Sequence, residues 1–299
     1  MPKKVSSQWP LSSDEARHSE GKFTMTADND QRLALVGEGP VLLDLYPDGV
    51  AHLRLNRPDA ANGLNLDMLE GLQQVLLRVH GDRRVRAVLL TGEGKNFCAG
   101  GDVHVFLQQG EALPEYIRIA TARLQVVASQ LIRLNAPVIA AVHGFAAGGG
   151  GLGLVCSADH VVAGESAKFL AGATRVGMVP DAGVSVTLPH LVGFRRAMDI
   201  LMFNPVIPAS DALSMGLISR VVPDDRLADE AMAMARQLAA GATVALAETK
   251  RLLWNGLNQS VDGCMPAENH AQAQLAATAD ALEGLAAVIE KRAPRFTGR

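Results

Sequence analysis

The stretch HGFAAGGGGLGLVCSAD, residues 143–159, decides how the rest of the chain is read. Four consecutive glycines, Gly148, Gly149, Gly150 and Gly151, stand between an apolar strand-like run and a segment with helical character. Glycine loses more backbone freedom on ordering than any other residue, so a run of four needs a reason. One reason is a corner built from backbone: a strand ends, the chain turns without a Cβ in the way, and a helix begins. The first amides of a helix lack internal acceptors and sit at the positive end of its dipole. Such amides can hold a carbonyl oxygen that becomes negative during a reaction. Close helix packing or a loose turn is the plainer alternative.

A second stretch, TGEGKNFCAGGDV (91–103), has the same form: a buried strand, then Gly100 and Gly101 beside Asp102. Two glycine corners at strand ends can converge on one atom from opposite sides. Neither is a P-loop, because no Gly-Lys-Ser/Thr follows the glycines.

Working outward, VLLDLY (41–46) and VAHLRL (50–55) flank a Pro-Asp-Gly turn and read as a hairpin. Leu66, Leu69, Leu72, Leu76 and Val79 recur near helical spacing in residues 65–82, and residues 115–134 form a second amphipathic helix. RAVLLTG (86–92), VIAAV (138–142) and HVVA (160–163) are short apolar strands, and LGLVCSA predicts a short buried helix. Uninterrupted apolar strands alternating with helices predict an α/β fold with a largely parallel, covered sheet. From about residue 191 the pattern is helical, ending in the run 267–292, and the Ala- and Leu-rich faces of these helices need a surface to pack on, a subunit partner or the protein's own core. The predicted organisation is a polar extension over 1–38, a core over 39–205 and a helical oligomerisation region over 206–299.

Composition excludes several functions. The 299 residues carry 28 basic and 31 acidic side chains, a net charge of −3, and 4% aromatics, without a basic block or stacking platform for nucleic acid. Three cysteines, Cys98, Cys156 and Cys264, show no CxxC spacing; no disulfide framework or metal site is expected, and a reducing, cytoplasmic location is. The N-terminal lysines precede no apolar core, and no stretch is long enough to cross a bilayer.

With these motifs in hand, the chain resembles the enoyl-CoA hydratase/isomerase (crotonase) superfamily. The resemblance runs through LNRPDAANGLN (55–65), GKNFCAGGDV (94–103), APVIAAVHGFAAGGGGLGL (136–154) and RVGMVPDAG (175–183). It implies a crotonase-like spiral of ββα units with a helical C-terminal part, a homotrimer or dimer of trimers, and an acyl substrate carried as a coenzyme A thioester, with no permanently bound cofactor. It implies an oxyanion hole from two amides: that of Gly101, and that of Gly149 or Gly150. The glycine run is one residue longer than the usual pattern, and counting back from Asp159 favours Gly150. Coenzyme A is expected along Asp59, Ala60 and Ala61 and along the backbone from Ala99 through Asp102 to Val103. The alternative for 55–65 is a strand-to-helix connection capped by Asn65.

The acid–base set is incomplete. Hydratases that this chain resembles carry one glutamate just beyond the glycine run and another four residues after the phenylalanine of the next strand. Here those positions hold Leu152 or Gly153, and Ala173. One carboxylate remains on the motif, Asp181, where similar isomerases and hydroxyacyl-CoA hydrolases carry a catalytic aspartate. A single base suffices for a 1,3-proton shift in a β,γ-enoyl thioester. The competing reading of Asp181 is a helix N-cap for residues 182–193. Asp102 is also read as a turn-fixing residue, His104 and His143 as structural, and Cys98 as buried and unreactive. Lys291, Arg292 and Arg295 could meet the coenzyme's phosphates, with a basic helix end as the ordinary reading. Glu111 or Glu115 could replace a missing glutamate. The expected function is a double-bond shift. The alternatives are hydration or thioester hydrolysis with another acid–base set, and acyl-CoA binding without chemistry.

Overall fold

The computed structural model describes residues 32–298. Its frame is a seven-stranded sheet, which begins with an antiparallel meander: β1 (Leu33–Val36), β2 (Val41–Leu45) and β3 (Val50–Leu55). Then β4 (Ala87–Gly92), β5 (Val138–Val142), β7 (His160–Gly164) and β10 (Arg220–Val222) add in parallel, in that order. A smaller sheet of β6 (Phe145–Ala147), β8 (Lys168–Leu170) and β9 (Ile207–Pro208) lies apart from it. A strand in the large sheet, a short extended segment in the small one, then a helix is the repeating turn: β5, β6, α4 (Gly148–Ser157), followed by β7, β8, α5 (Val184–Val192). Cys98 extends this pattern to the preceding turn by bridging to Ala146. This is the α/β spiral expected.

Core patterning explains the layers. On one face of the large sheet, Leu53, Leu55, Val88, Leu90, Val138 and Ala140 pack against α1 (Leu66–Gly81), α3 (Leu113–Arg133) and α4. Asn65 caps α1, its side chain accepting from the Met68 amide at 2.9 Å, as the alternative reading of that segment required. On the other face, Val50, Ala87, Leu89, Ile139 and Val162 meet Leu227, Ala231, Met232 and Ala235 of α8 (Leu227–Ala239).

Three boundaries move. Residues 33–36 lie within the stretch read as an extension, yet form an edge strand, and Arg32 pairs with Asp44 at 3.0 Å; the rest of that extension, 1–31, falls outside the described residues. Residues 206–239 fall in the predicted oligomerisation region, yet β10 completes the large sheet and α8 covers it. The run 267–292 is divided between two helices, α10 (Val261–Leu275) and α11 (Ala279–Glu290), because Thr278 accepts from the Ala281 amide and starts a new helix.

Helix α9 (Thr243–Gly256) joins the body through charge. Lys250 is its one buried residue, with Nζ 2.7 Å from Asp159 Oδ2 and donating to Leu131 O and Ala136 O. Asp159 also accepts from Val138 N and Trp254 Nε1. Burial pulls the Lys250 ammonium below its usual pKa, and the Asp159 charge opposes that. Removing one partner of a buried pair leaves the other uncompensated, at about 3–5 kcal/mol. Lys250→Met is therefore expected to lower the urea midpoint strongly, and adding Asp159→Asn to restore part of the loss.

Candidate active site

The two glycine corners meet. Helix α4 begins on the first of the four glycines, with Gly148 at φ +64°, a conformation that side chains resist. The amides of Gly148, Gly149 and Gly150 open the helix and have no acceptor one turn back. Across from them, Leu64 bridges Gly101, its amide donating to Gly100 O and its carbonyl accepting from Asp102 N. That pairing uses the groups on either side of Gly101 and turns the Gly101 amide the other way. A Cβ placed on Gly148 or Gly150 would fall 3.1 Å from Gly100 Cα, so the corners are in backbone contact.

Accessibility separates the two candidates in the run. Gly149 and Gly101 are both half-buried, whereas Gly150 is buried, facing Leu64 and Gly100. Counting back from Asp159 points to Gly150, whereas Gly149 is the more accessible of the two. Gly149 also touches the carboxylate. A Cβ there would lie 1.4 Å from Asp181 Oδ1, so only glycine admits Asp181 in this place.

Asp181 caps nothing. The N-cap of α5 is Gly183, and Asp181 contributes only its backbone carbonyl, to Val184 N at 3.0 Å. Its Oδ1 is buried and has no hydrogen-bond partner among the described residues. Burial raises its pKa above the usual aspartate value, opposed by a hydrogen bond from its own amide. The turn that aims it contains two left-handed residues, Ala182 (φ +51°) and Gly183 (φ +77°). Ala182 in turn lies against α4, since a Cβ on Gly153 would come within 2.6 Å of Ala182 Cβ.

The positions of the two hydratase glutamates hold other residues. Leu152 is buried in the core, Gly153 is closed by Ala182, and Ala173 starts a short 3-10 turn ending at Val176. Glu115 is exposed and tied to Arg118, which lowers its pKa, and Glu111 is exposed. His143 is buried against Gly94 O at 3.0 Å, and its burial lowers its pKa. Cys98 is fully buried and its thiol is pushed up to about 12, so it holds no thiolate. At the chain end, Arg292 is bound to Glu283 and Glu290.

The segments named for coenzyme A form one rim. Residues 58–60 make a 3-10 turn, Asp59 is exposed, and Ala61 O accepts from Ala99 N at 3.0 Å. Ala99 and Val103 are exposed on the same rim. The Asp102 side chain points inward: it caps α2 (Val103–Gln108) by accepting from Val105 N at 3.2 Å, and it receives Arg57 Nη2 at 2.9 Å. Backbone, not this carboxylate, is what the rim offers there. Losing such a cap costs about 1 kcal/mol. Asp102→Ala is expected to lower stability by about that amount or somewhat more, and Asp102→Asn, which keeps a cap oxygen, by less; thermal denaturation reads the difference.

Sequence reading missed three supports. Arg57 holds both Asp102 and Gly63 O, bracing the first corner. Phe106 lies on Gly101, where a Cβ would be 2.5 Å from its Cζ, and it meets Tyr116 edge-on at 5.9 Å between ring centroids. Asn204 is buried at the end of α6 (Phe194–Phe203), where its side chain binds Gly172 N and Thr174 Oγ1 and its carbonyl accepts from Arg175. It thereby anchors the start of the segment that leads to Asp181. Its one local signal is an asparagine at a helix end, which favours the left-handed cap it adopts (φ +50°). Exposed Val176 and Val179 lie on that segment, and exposed Val103 and Leu107 follow Gly101, giving both flanks an apolar surface.

Comparison with known proteins agrees with the fold. The family model for enoyl-CoA hydratase/isomerase matches residues 46–299. A protein of Rhodobacter capsulatus named "Probable enoyl-CoA hydratase" is 38% identical over 252 residues, covering 84% of this chain and 96% of its own length. The 1,2-epoxyphenylacetyl-CoA isomerase of Escherichia coli is 35% identical over 259 residues, 86% of this chain and 98% of that one. Among solved structures, the enoyl-CoA hydratase of Bacillus anthracis superposes with a TM-score of 0.82 at 32% identity, covering 87% of this chain and all of the other.

Proposed function

Because the chain belongs to the enoyl-CoA hydratase/isomerase family, an enzyme family acting on acyl-CoA substrates, we propose that its reaction is a double-bond shift in an enoyl-CoA. In this reading the amides of Gly101 and Gly149 receive the thioester oxygen and stabilise the charge that builds on it as the enolate forms. Asp181 removes a proton from the carbon between the carbonyl and the double bond, and returns one two carbons further along. The product is the conjugated 2-enoyl thioester. One observation carries the proposal: Asp181 presents a buried oxygen without a hydrogen-bond partner among the described residues, beside the glycine corners, while Leu152, Gly153 and Ala173 occupy the places of the second and third carboxylates.

The isomerase reading accounts for the chemistry with one group. A carboxylate that takes and returns the same proton needs no second acid, and its raised pKa improves it as a base. Hydration requires a water to be activated while a proton is delivered, two tasks for two groups. The hydratase names of several relatives favour that second reading. Purified protein given a 3-enoyl-CoA should form the conjugated thioester, seen as a rise in ultraviolet absorbance, faster than it removes a 2-enoyl-CoA by hydration. The reverse order of rates would favour the hydratase, and free thiol release would favour a hydrolase.

Substrate contacts along residues 59–61 and 99–103 are part of this proposal, as is assembly into a trimer or pair of trimers. Exposed Leu253, Val261, Leu285, Val288 and Ile289 on α9, α10 and α11 support the assembly. No helix among the described residues is long and apolar enough to cross a membrane.

A further inference from the structure

At the ends of β3 and β4 remote from the glycine corners, a cavity of about 560 Å³ opens between four segments. These are the β2–β3 turn, the loop before β4, the end of α8 and the C-terminal tail. Five arginines line it, Arg83, Arg84, Arg86, Arg236 and Arg295, against one carboxylate, Asp48. In a chain of net charge −3 this is a local reversal of sign.

Two of the five are neutralised. Arg84 closes on Asp82 at 2.7 Å and Arg236 on Asp48 at 2.9 Å. The other three form no ion pair among the described residues, although the Arg295 charge still acts on Glu283. Arg86 is half-buried and held by carbonyls, those of Ala239, Gly241 and Phe296, which fix its position without cancelling its charge. Arg83 is exposed, and no hydrogen bond or ion pair is formed by its side chain among the described residues. Arg295 gives its backbone amide to Glu283, whose carboxylate is taken up by Arg292 at 2.6 and 2.9 Å.

We propose that this cavity binds a linear polyphosphate group, free or as the phosphate chain of a nucleotide. Guanidinium forks match phosphate oxygens in pairs. Three guanidinium charges that form no ion pair among the described residues, two on the loop before β4 and one on the C-terminal tail, suit several linked anionic centres better than one. The volume falls in the range of small-ligand sites. The six residues of β4 span about 20 Å at the usual strand rise, which separates this cavity from Gly101.

The test is calorimetric titration of the full chain with sodium tripolyphosphate at two salt concentrations, repeated with ATP and with inorganic phosphate. Saturable binding of tripolyphosphate, one per chain and weakened by salt, is expected, with Arg83→Ala/Arg295→Ala weakening it at least tenfold. Enoyl-CoA turnover and the circular dichroism of that variant should not change. Tighter binding of ATP would identify a nucleotide as the source, and equal binding a free polyphosphate. The proposal fails if neither polyphosphate binds, if the double variant binds as well as the parent, or if inorganic phosphate binds as tightly as tripolyphosphate.

Discussion

Asp181→Asn is expected to lower turnover of a 3-enoyl-CoA by about a thousandfold while making the folded protein more stable at neutral pH. The first effect follows from removing the sole proton carrier, since general-base catalysis contributes about 10²–10⁴. The second follows from burial. The folded protein holds the Asp181 proton to higher pH than the unfolded chain does, because desolvation raises its pKa. Stability from this group is thus complete below the unfolded pKa and is lost as pH rises through the folded one. Once ionised, the buried carboxylate carries a cost that asparagine does not incur. A melting curve for the variant above that of the parent, converging as the pH is lowered, is the expected pattern. The pH–rate profile of the parent should rise through a limb above the ordinary aspartate range. A variant that is inactive and less stable at neutral pH would mean that Asp181 supports the fold instead.

Gly149→Ala is the second large effect. Its Cβ would coincide with Asp181 Oδ1, at 1.4 Å, so the carboxylate must move. What yields is the end of a side chain, not backbone, and the fold should survive. Gly151 makes the contrast, because a Cβ there would meet Cys98 O at 2.2 Å and press on the backbone that holds the two corners together. Misplacing a catalytic group by about 1 Å costs on the order of a hundredfold. Gly149→Ala should therefore lose about that much in kcat with little change in KM, whereas Gly151→Ala should express as a destabilised protein. Steady-state kinetics with circular dichroism separates these outcomes, and full activity in Gly149→Ala would remove Asp181 from the reaction.

These two residues also show how far sequence reading reaches. Apolar strands with intervening amphipathic helices specified the sheet, and the paired glycine corners were visible because glycine is costly and therefore informative. The choice between Gly149 and Gly150 was not. An extra residue can be absorbed at either end of α4, and only the packing of Leu64 and Gly100 on Gly150 distinguishes them. The meeting of Asp181 with Gly149 is likewise a contact across 32 positions, leaving no local pattern. Edge strand β1 is not legible in the sequence, because four residues, LALV, give too short a signal against a polar flank. Helix α8 falls in the predicted oligomerisation region because an Ala-rich apolar stripe reads the same whether it faces another subunit or the chain's own sheet.

The most direct measurement is a crystal structure of the Asp181→Asn variant holding an unreacted 3-enoyl-CoA. The account predicts the thioester oxygen within about 2.7–3.1 Å of the amide nitrogens of Gly101 and Gly149, the separation an oxyanion hole requires. It also places the side chain at 181 within about 3–3.5 Å of the carbons on both sides of the migrating bond. A thioester oxygen bound elsewhere, or an acyl chain running away from residue 181, would contradict it.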